Sequence, residues 1–289
     1  MIAFVFPGQG SQKRGMGRIL FDEVPEYAAI EKDVDALLGY SMRNLCIEDP
    51  HDQLKETRFT QTSLFVVNAL HYHRAIRQGL RPSYLAGHSL GEYNALLAAG
   101  VFDFMTGLRL VKKRGELMGQ ARNGGMAAVI GLSASQILAL IDGCGLKSSV
   151  DVANYNSPTQ TVLSGPADEI KGLGPLFEKA GAKLYLPLSV SAAFHSRYMV
   201  PAAKSFAEFL GPISFVEPKI PVVANSTANV YPSTTSSESV RALLVDQITH
   251  AVQWTKSIQF LLQCGVTEFQ EVGPGNVLMR LLHQIRLEG

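Results

Sequence analysis

An α/β fold is what the sequence predicts: one parallel sheet flanked by helices, interrupted by a small βαββαβ insert. Three observations carry that prediction. Short apolar runs of the buried-strand type alternate with helical patterns through residues 1–124 and again through 192–289, an order that yields a parallel sheet with helices on its faces. Residues 125–191 change rhythm, giving strand, helix, two strands, helix and strand. Finally, Gly87-His88-Ser89-Leu90-Gly91 stands between the apolar Tyr84-Leu85-Ala86 and the alanine- and leucine-rich run Tyr93–Ala99, the strand–turn–helix setting of a sharp elbow.

Ile2–Phe6 is a continuous apolar strand, followed by the loop Pro7-Gly8-Gln9-Gly10-Ser11-Gln12. A dinucleotide loop would need a third glycine at position 13, which is Lys13, and no phosphate-binding G-x-x-x-x-G-K-[ST] occurs. Helical patterns cover Pro25–Leu38 and Thr62–Gly79, then come the elbow and an amphipathic helix over Phe104–Arg122, capped by Asp103 and closed by Gly124-Gly125. In the insert, Met126–Ile130, Val150–Tyr155, Thr161–Ser164 and Lys183–Leu188 read as strands, and Ala134–Ile141 as a helix. A second helix over Asp168–Ala180 is weakened by Gly172, Gly174 and Pro175. Strand, helix, two strands, helix and strand is the ferredoxin-like arrangement. The α/β pattern then resumes with a helix at Ser196–Leu210, a strand at Val222–Asn225 and helices at 238–249 and 254–263. A strand at Thr267–Val272, the turn Gly273-Pro274-Gly275 and a helix to Ile285 complete it. The Ser/Thr cluster at 233–239 reads as a loop.

A chain of 289 residues fits one large domain, or one domain carrying a smaller insert. With 46% hydrophobic and 18% charged residues it is an ordinary packed globule, and a net charge of +1 gives no reason to expect nucleic acid or a membrane surface as partner. Cys46, Cys144 and Cys264 are an odd number and form no C-x-x-C, so reduced thiols and a cytoplasmic setting are expected. Met1–Phe6 is too short and uncharged for a signal peptide, and no apolar run approaches the roughly 18 residues of a membrane helix.

The elbow glycines are needed because the turn is sharp and a Cβ at either position would clash. A serine there either caps the following helix or is a nucleophile whose hydroxyl stands above the sheet, with the Leu90 amide aimed at a bound carbonyl oxygen. A nucleophilic serine needs a base, usually histidine. Of His51, His71, His73, His88, His195, His250 and His283, two stand apart two residues from each other on a helix (His71 and His73), pointing to different faces, and His88 diverges from its neighbour Ser89. His195 follows Ser191-Ala192-Ala193-Phe194 at the return from the insert, where a loop can place it over the sheet edge. It is either a structural loop histidine or the base. On the Phe104–Arg122 helix, Arg114 has the apolar Leu110, Val111, Leu117 and Met118 as neighbours, whereas Lys112 and Lys113 belong to the solvated face. A guanidinium on an apolar stripe keeps its charge and needs a partner. Three readings fit: a guanidinium that snorkels to solvent, an internal salt bridge, or a fork that holds a substrate carboxylate with both arms.

These residues, with others, resemble a known family. Phe6-Pro7-Gly8-Gln9-Gly10-Ser11-Gln12, Gly87-His88-Ser89-Leu90-Gly91-Glu92-Tyr93 and Arg114-Gly115-Glu116-Leu117-Met118 are similar to motifs of the malonyl-CoA:acyl carrier protein transacylases. So are Ala193-Phe194-His195-Ser196, Gln253-Trp254-Thr255-Lys256-Ser257 and Glu271-Val272-Gly273-Pro274-Gly275, in family order and over nearly the whole chain. Within that family the likeness is greatest to the discrete, trans-acting acyltransferases of polyketide synthases, of the disorazole type. The resemblance implies an α/β-hydrolase-like large subdomain over 1–124 and 192–289 and a ferredoxin-like small subdomain over 125–191. It implies Ser89 as nucleophile and His195 as base, with no carboxylate behind the histidine and the backbone carbonyl of Gln247 orienting it. The amides of Gln9 and Leu90 would form the oxyanion hole, Arg114 would hold the malonyl carboxylate, and Phe194 would crowd any α-methyl group. The chain departs from the malonyl-selective signature at Ala192, where that signature has histidine, and His250 stands where bacterial fatty-acid members usually show asparagine. The implied reaction moves malonyl from malonyl-CoA, through an acyl-enzyme, to the phosphopantetheine thiol of an acyl carrier protein, in polyketide or fatty-acid biosynthesis. No metal or redox cofactor is implied, and a monomer is expected. A thioester hydrolase using the same pair, or a silent carrier-docking module, are the rival classes.

Overall fold

The computed structural model describes residues 1–232 and 236–288. Two four-stranded sheets organise it. Strands β1 (Ile2–Phe6), β2 (Tyr84–Gly87), β7 (Val222–Val223) and β8 (Glu268–Glu271) form a parallel sheet in the order β7-β2-β1-β8. Strands β3 (Gly124–Ile130), β4 (Asp151–Ser157), β5 (Gln160–Pro166) and β6 (Leu184–Pro187) form an antiparallel sheet in the order β4-β5-β3-β6. That order is the ferredoxin-like one, with β5 lying between the two strands joined by the first helical crossover.

Burial follows the pleat. In β1, Phe4 and Phe6 face helices Thr57–Arg77, Gly91–Ala98 and Phe104–Gln120, while Ala3 and Val5 face helices Trp254–Gln263 and Val277–Glu288. Both faces are covered, which is why β1 has no polar alternation. The second sheet is likewise two-sided. Ala127, Val129 and Leu163 pack under helix Ala134–Gly143 and the short helices after β5, whereas Met126, Ala128, Ala153 and Val162 join the main core. The two sheets are stitched by backbone: Asn154 of β4 pairs in parallel with Val252, through Val252 N–H to Ala153 O and Tyr155 N–H to Val252 O, both 2.9 Å.

Several elements differ from expectation. The helix expected over Pro25–Leu38 is two helices, Pro25–Ala28 and Glu31–Leu38, because Ile30 leaves helical geometry. The one expected over Asp168–Ala180 divides into Ala167–Gly172 and Gly174–Lys179 before Pro175, which has no N–H to continue the ladder. The helix expected from Thr62 starts at Thr57; burial of Thr60, Gln61, Thr62 and Ser63 beside apolar neighbours hides its period. The helix expected from Ser196 begins at Val200, after a 3-10 turn at Arg197–Met199. Gly124 and Gly125 open β3 rather than closing the preceding helix, which ends at Gln120. The strand expected over Val222–Asn225 keeps only two residues in the ladder, freeing Asn225 for the site. Of the loop expected over 233–239, residues 233–235 lie outside the described residues and Ser237–Thr249 is helix, capped by the Ser236 side chain. Met42–Ile47 is a helix the sequence did not suggest.

Candidate active site

The elbow follows from its two glycines. A Cβ on Gly87 would lie 1.9 Å from the carbonyl carbon of Gly91, and one on Gly91 would lie 2.0 Å from the carbonyl oxygen of Phe6. Strand β2 can therefore turn straight into helix Gly91–Ala98 while touching β1. Between them Ser89 is held at φ +51°, a left-handed conformation that costs a side-chain-bearing residue about 1–3 kcal/mol. Its carbonyl and amide are both fixed: Ser89 N–H donates to Asn225 Oδ1 at 2.6 Å, and Ser89 O accepts from Gln247 Nε2 at 2.9 Å.

His195 reaches Ser89 from the loop after the small sheet, itself at φ +56°. Its Nε2 lies 2.8 Å from Ser89 Oγ, and its Nδ1 lies 2.7 Å from the backbone carbonyl of Gln247. A carbonyl only accepts, so Nδ1 carries the hydrogen and Nε2 is left to accept from the serine hydroxyl. Burial, reinforced by the charge of Arg114, pushes the imidazole down to about 3, so it rests neutral. The geometry is that of a nucleophile, a base and an orienting carbonyl.

Arg114 projects from helix Phe104–Gln120 and is 1% exposed. Its Nη2 donates to Ser89 Oγ at 3.1 Å and to Gln247 Oε1 at 2.9 Å, and its guanidinium lies over the Tyr93 ring at 5.4 Å. Among the described residues it has no ion-pair partner within 4.0 Å, and its buried Nε meets no acceptor. A buried cation beside the Ser89 hydroxyl, with no carboxylate within 4.0 Å, is therefore what the structure contains; the internal salt bridge is absent among the described residues. Burial pushes its acidity the same way, favouring loss of charge, against the restoring effect of Tyr93 and Glu92.

A cleft of about 100 Å³ opens on these groups. Gln9 and Leu90 line it, and among the described residues neither amide donates to a protein acceptor. Leu90 also sits at the N-terminus of helix Gly91–Ala98, where the helix dipole favours negative charge. Phe194, with Met118, Met126, Leu188 and Val190, makes the apolar wall. His88 turns away from the base: it lies 2.8 Å from Asn156 Oδ1 and meets Trp254 edge-on. His250, at the end of helix Ser237–Thr249, is bonded back to the Asp246 carbonyl at 2.9 Å and leaves the Gln247 carbonyl to His195.

Sequence reasoning named the backbone of Gln247 but not its side chain, and did not name Glu92 or Asn225. Glu92 is fully buried, accepts from Tyr231 Oη at 2.7 Å and from Gln247 Nε2, and is pushed up to about 7 by burial against those donors. An acidic residue in the otherwise apolar run after the elbow was the available signal.

The chain matches a family model described as an acyl transferase domain over residues 3–286. It is similar to the polyketide biosynthesis malonyl CoA-acyl carrier protein transacylase PksC of Bacillus subtilis, 51% identical over 288 residues, which cover 99% of this chain and 97% of that protein. The crystal structure of malonyl CoA-acyl carrier protein transacylase from Burkholderia pseudomallei superposes with a TM-score of 0.94 at 47% identity, covering 100% of this chain and 99% of that one. A malonyl-transacylase solved in complex with its type II PKS acyl-carrier protein gives 0.91 at 37% identity, covering 98% of this chain and 92% of that one.

Proposed function

The chain belongs to the acyl transferase domain family, and from that premise we propose that it is a malonyl-CoA:acyl carrier protein transacylase serving polyketide or fatty-acid assembly. The observation that carries the acyl choice is Arg114: a buried guanidinium with no carboxylate of its own, 3.1 Å from the Ser89 hydroxyl. It suits an acyl group ending in a carboxylate, and a hydrolase of neutral thioesters would gain nothing from it.

In the proposed route, Ser89 Oγ attacks the thioester carbonyl while His195 Nε2 takes the hydroxyl proton. The amides of Gln9 and Leu90 receive the oxyanion; one such donor is worth about 3 kcal/mol. The tetrahedral centre collapses with cleavage of the C–S bond, and His195 returns its proton to the departing coenzyme A thiolate. The phosphopantetheine thiol of the carrier protein then gives its proton to His195 and attacks the Ser89 ester, and Ser89 regains its proton as it leaves. His195 carries every proton in this sequence, so no step calls for a metal or redox cofactor. Phe194 would stand beside the α-carbon and disfavour branched acyl groups. We place the protein in the cytoplasm as a monomer, a setting supported by three free cysteines; no helix among the described residues is long and apolar enough to cross a membrane.

Intact-protein mass after mixing with malonyl-CoA tests the proposal. A stable malonyl adduct that passes to added carrier protein is expected, and Ser89→Ala should abolish it with the fold intact. Rapid release of free malonate would instead mark a hydrolase, and an undiminished adduct on Ser89→Ala would end the mechanism.

A further inference from the structure

Glu92 lies one helical turn beyond Ser89 and is fully buried. Every group around its oxygens donates: Tyr231 Oη at 2.7 Å and Asn225 N–H at 3.3 Å to Oε1, and Gln247 Nε2 to Oε2. The Gln247 amide has two different ends. Its Nε2 faces Glu92 and the Ser89 carbonyl, and its Oε1 faces Arg114. Turning that amide by half a revolution would set an acceptor against two acceptors and an NH₂ group against a guanidinium. Glu92, together with the Ser89 carbonyl, therefore sets which way the amide points, and the amide is the protein group that ties down Arg114 Nη2 besides Ser89 itself.

We infer that Glu92 is a positioning residue for acyl-group selection: by fixing the direction of the Gln247 side chain it aims the Arg114 fork at an acyl carboxylate. The inference rests on the malonyl-transfer reading above. It goes beyond it in assigning selectivity to a carboxylate that touches neither the acyl group nor the reacting atoms. The charged and titratable groups facing Glu92 are Arg114, Tyr93 and Tyr231. When Glu92 takes up a proton, Oε1 can give it to the rotating Tyr231 hydroxyl, and Oε2 still faces Gln247 as an acceptor. The polarity of the relay thus survives on either side of about 7, the value to which burial lifts this carboxyl.

The test compares acylation rates with malonyl-CoA and acetyl-CoA, followed by intact mass. Glu92→Met removes the acceptor while keeping the length. Malonyl loading should fall about 10- to 100-fold and acetyl loading by no more than about threefold, since only the former uses the charged fork. Glu92→Gln should restore most of the ratio, because its carbonyl oxygen can face Gln247 while its NH₂ faces the rotatable Tyr231 hydroxyl, at the loss only of the long 3.3 Å bond from Asn225 N–H. Gln247→Met added to Glu92→Met should cost little more than either alone, the mark of two residues acting in one relay. If Glu92→Met leaves too many orphan donors to fold, Glu92→Met with Tyr231→Phe removes one of them and is held to the same expectation. Equal losses for malonyl and acetyl, or additive losses in the double variant, would overturn the relay while a malonyl adduct on the unmodified protein keeps the activity reading intact. An unmodified protein that takes no malonyl would overturn both.

Discussion

Replacing Arg114 by alanine separates the two roles a buried arginine can have. Arg114 is 1% exposed, has no ion-pair partner among the described residues, donates to Ser89 Oγ and Gln247 Oε1 and lies over the Tyr93 ring. A malonyl carboxylate bound there forms a desolvated charge pair, and removing one partner of such a pair costs about 3–5 kcal/mol. At 1.36 kcal/mol per tenfold in rate, acylation by malonyl-CoA should fall roughly 160- to 5,000-fold. Acetyl has no charge to lose and should change by less than about tenfold. Stability should move little. Alanine orphans Gln247 Oε1, a cost of about 1–3 kcal/mol, but also removes a buried cation that has no direct ion-pair partner among the described residues, Glu92 reaching it only across the Gln247 amide. The assay is pre-steady-state acylation by each thioester, read as kcat/KM for adduct formation, with urea midpoints measured in parallel. Equal losses for the two acyl groups, accompanied by a large fall in midpoint, would mean that Arg114 is structural and that the carboxylate is recognised elsewhere.

Three further outcomes are expected. In the unfolded chain the His195 imidazole takes a proton below its ordinary value near 6.5, and in the fold not until about 3; the unfolded state therefore binds more protons in that window, and His195 lowers stability as pH falls through it. His195→Ala should gain on the unmodified protein by about 1.4 kcal/mol per pH unit between 6 and 4, a difference in which the opposite contribution of Glu92 cancels; parallel unfolding curves at all pH values would refute it. Phe194→Ser should narrow the preference for malonyl-CoA over methylmalonyl-CoA, a discrimination of about 10- to 200-fold for one methyl, as competition for the same carrier protein would measure. Gly91→Ala drives a Cβ to 2.0 Å from Phe6 O and should cost about 3 kcal/mol or more in denaturant unfolding; a silent substitution would mean that the elbow is looser than described.

How much of the site could be read in one dimension depended on how far apart its parts lie in the chain. The elbow is local: glycines, serine, strand and helix all fall within Tyr84–Ala98, and each constrains the next. Arg114 was legible because a single charge interrupts the apolar stripe of one helix. The base was harder, since His195 meets Ser89 only after the whole insert has been traversed. Asn225 and Gln247 were beyond local reasoning. Both grip Ser89 from more than 130 positions away, and nothing in their own neighbourhoods distinguishes them from a strand end and a helix end. Resemblance supplied the Gln247 carbonyl, whereas its side chain meets Arg114 and the Ser89 carbonyl only once the chain is folded. The helix break at Ile30 was missed for a different reason: apolar periodicity continues across it while the hydrogen-bond ladder does not, whereas Gly172, Gly174 and Pro175 signalled the weakness that becomes the break at Leu173.

The backbone pairing of Asn154 with Val252 bears on how such a molecule can be rebuilt. Residues of the small sheet and of its return segment, Met126, Leu188 and Val190, share the apolar wall of the cleft with Phe194, whereas Ser89 follows β2 of the parallel sheet and Arg114 stands on helix Phe104–Gln120. A chimera that imports a foreign insert would therefore reshape one side of this wall while leaving Ser89, His195, Arg114 and Phe194 in place, provided that the graft meets the Val252 backbone in register. Val252 lies only five residues past Gln247, so a slip at that seam would be felt by the carbonyl that holds the base. The shape of the wall and the alignment of His195 meet at the same joint, and successful grafts should be those that carry the β4 edge and residues 247–255 over together.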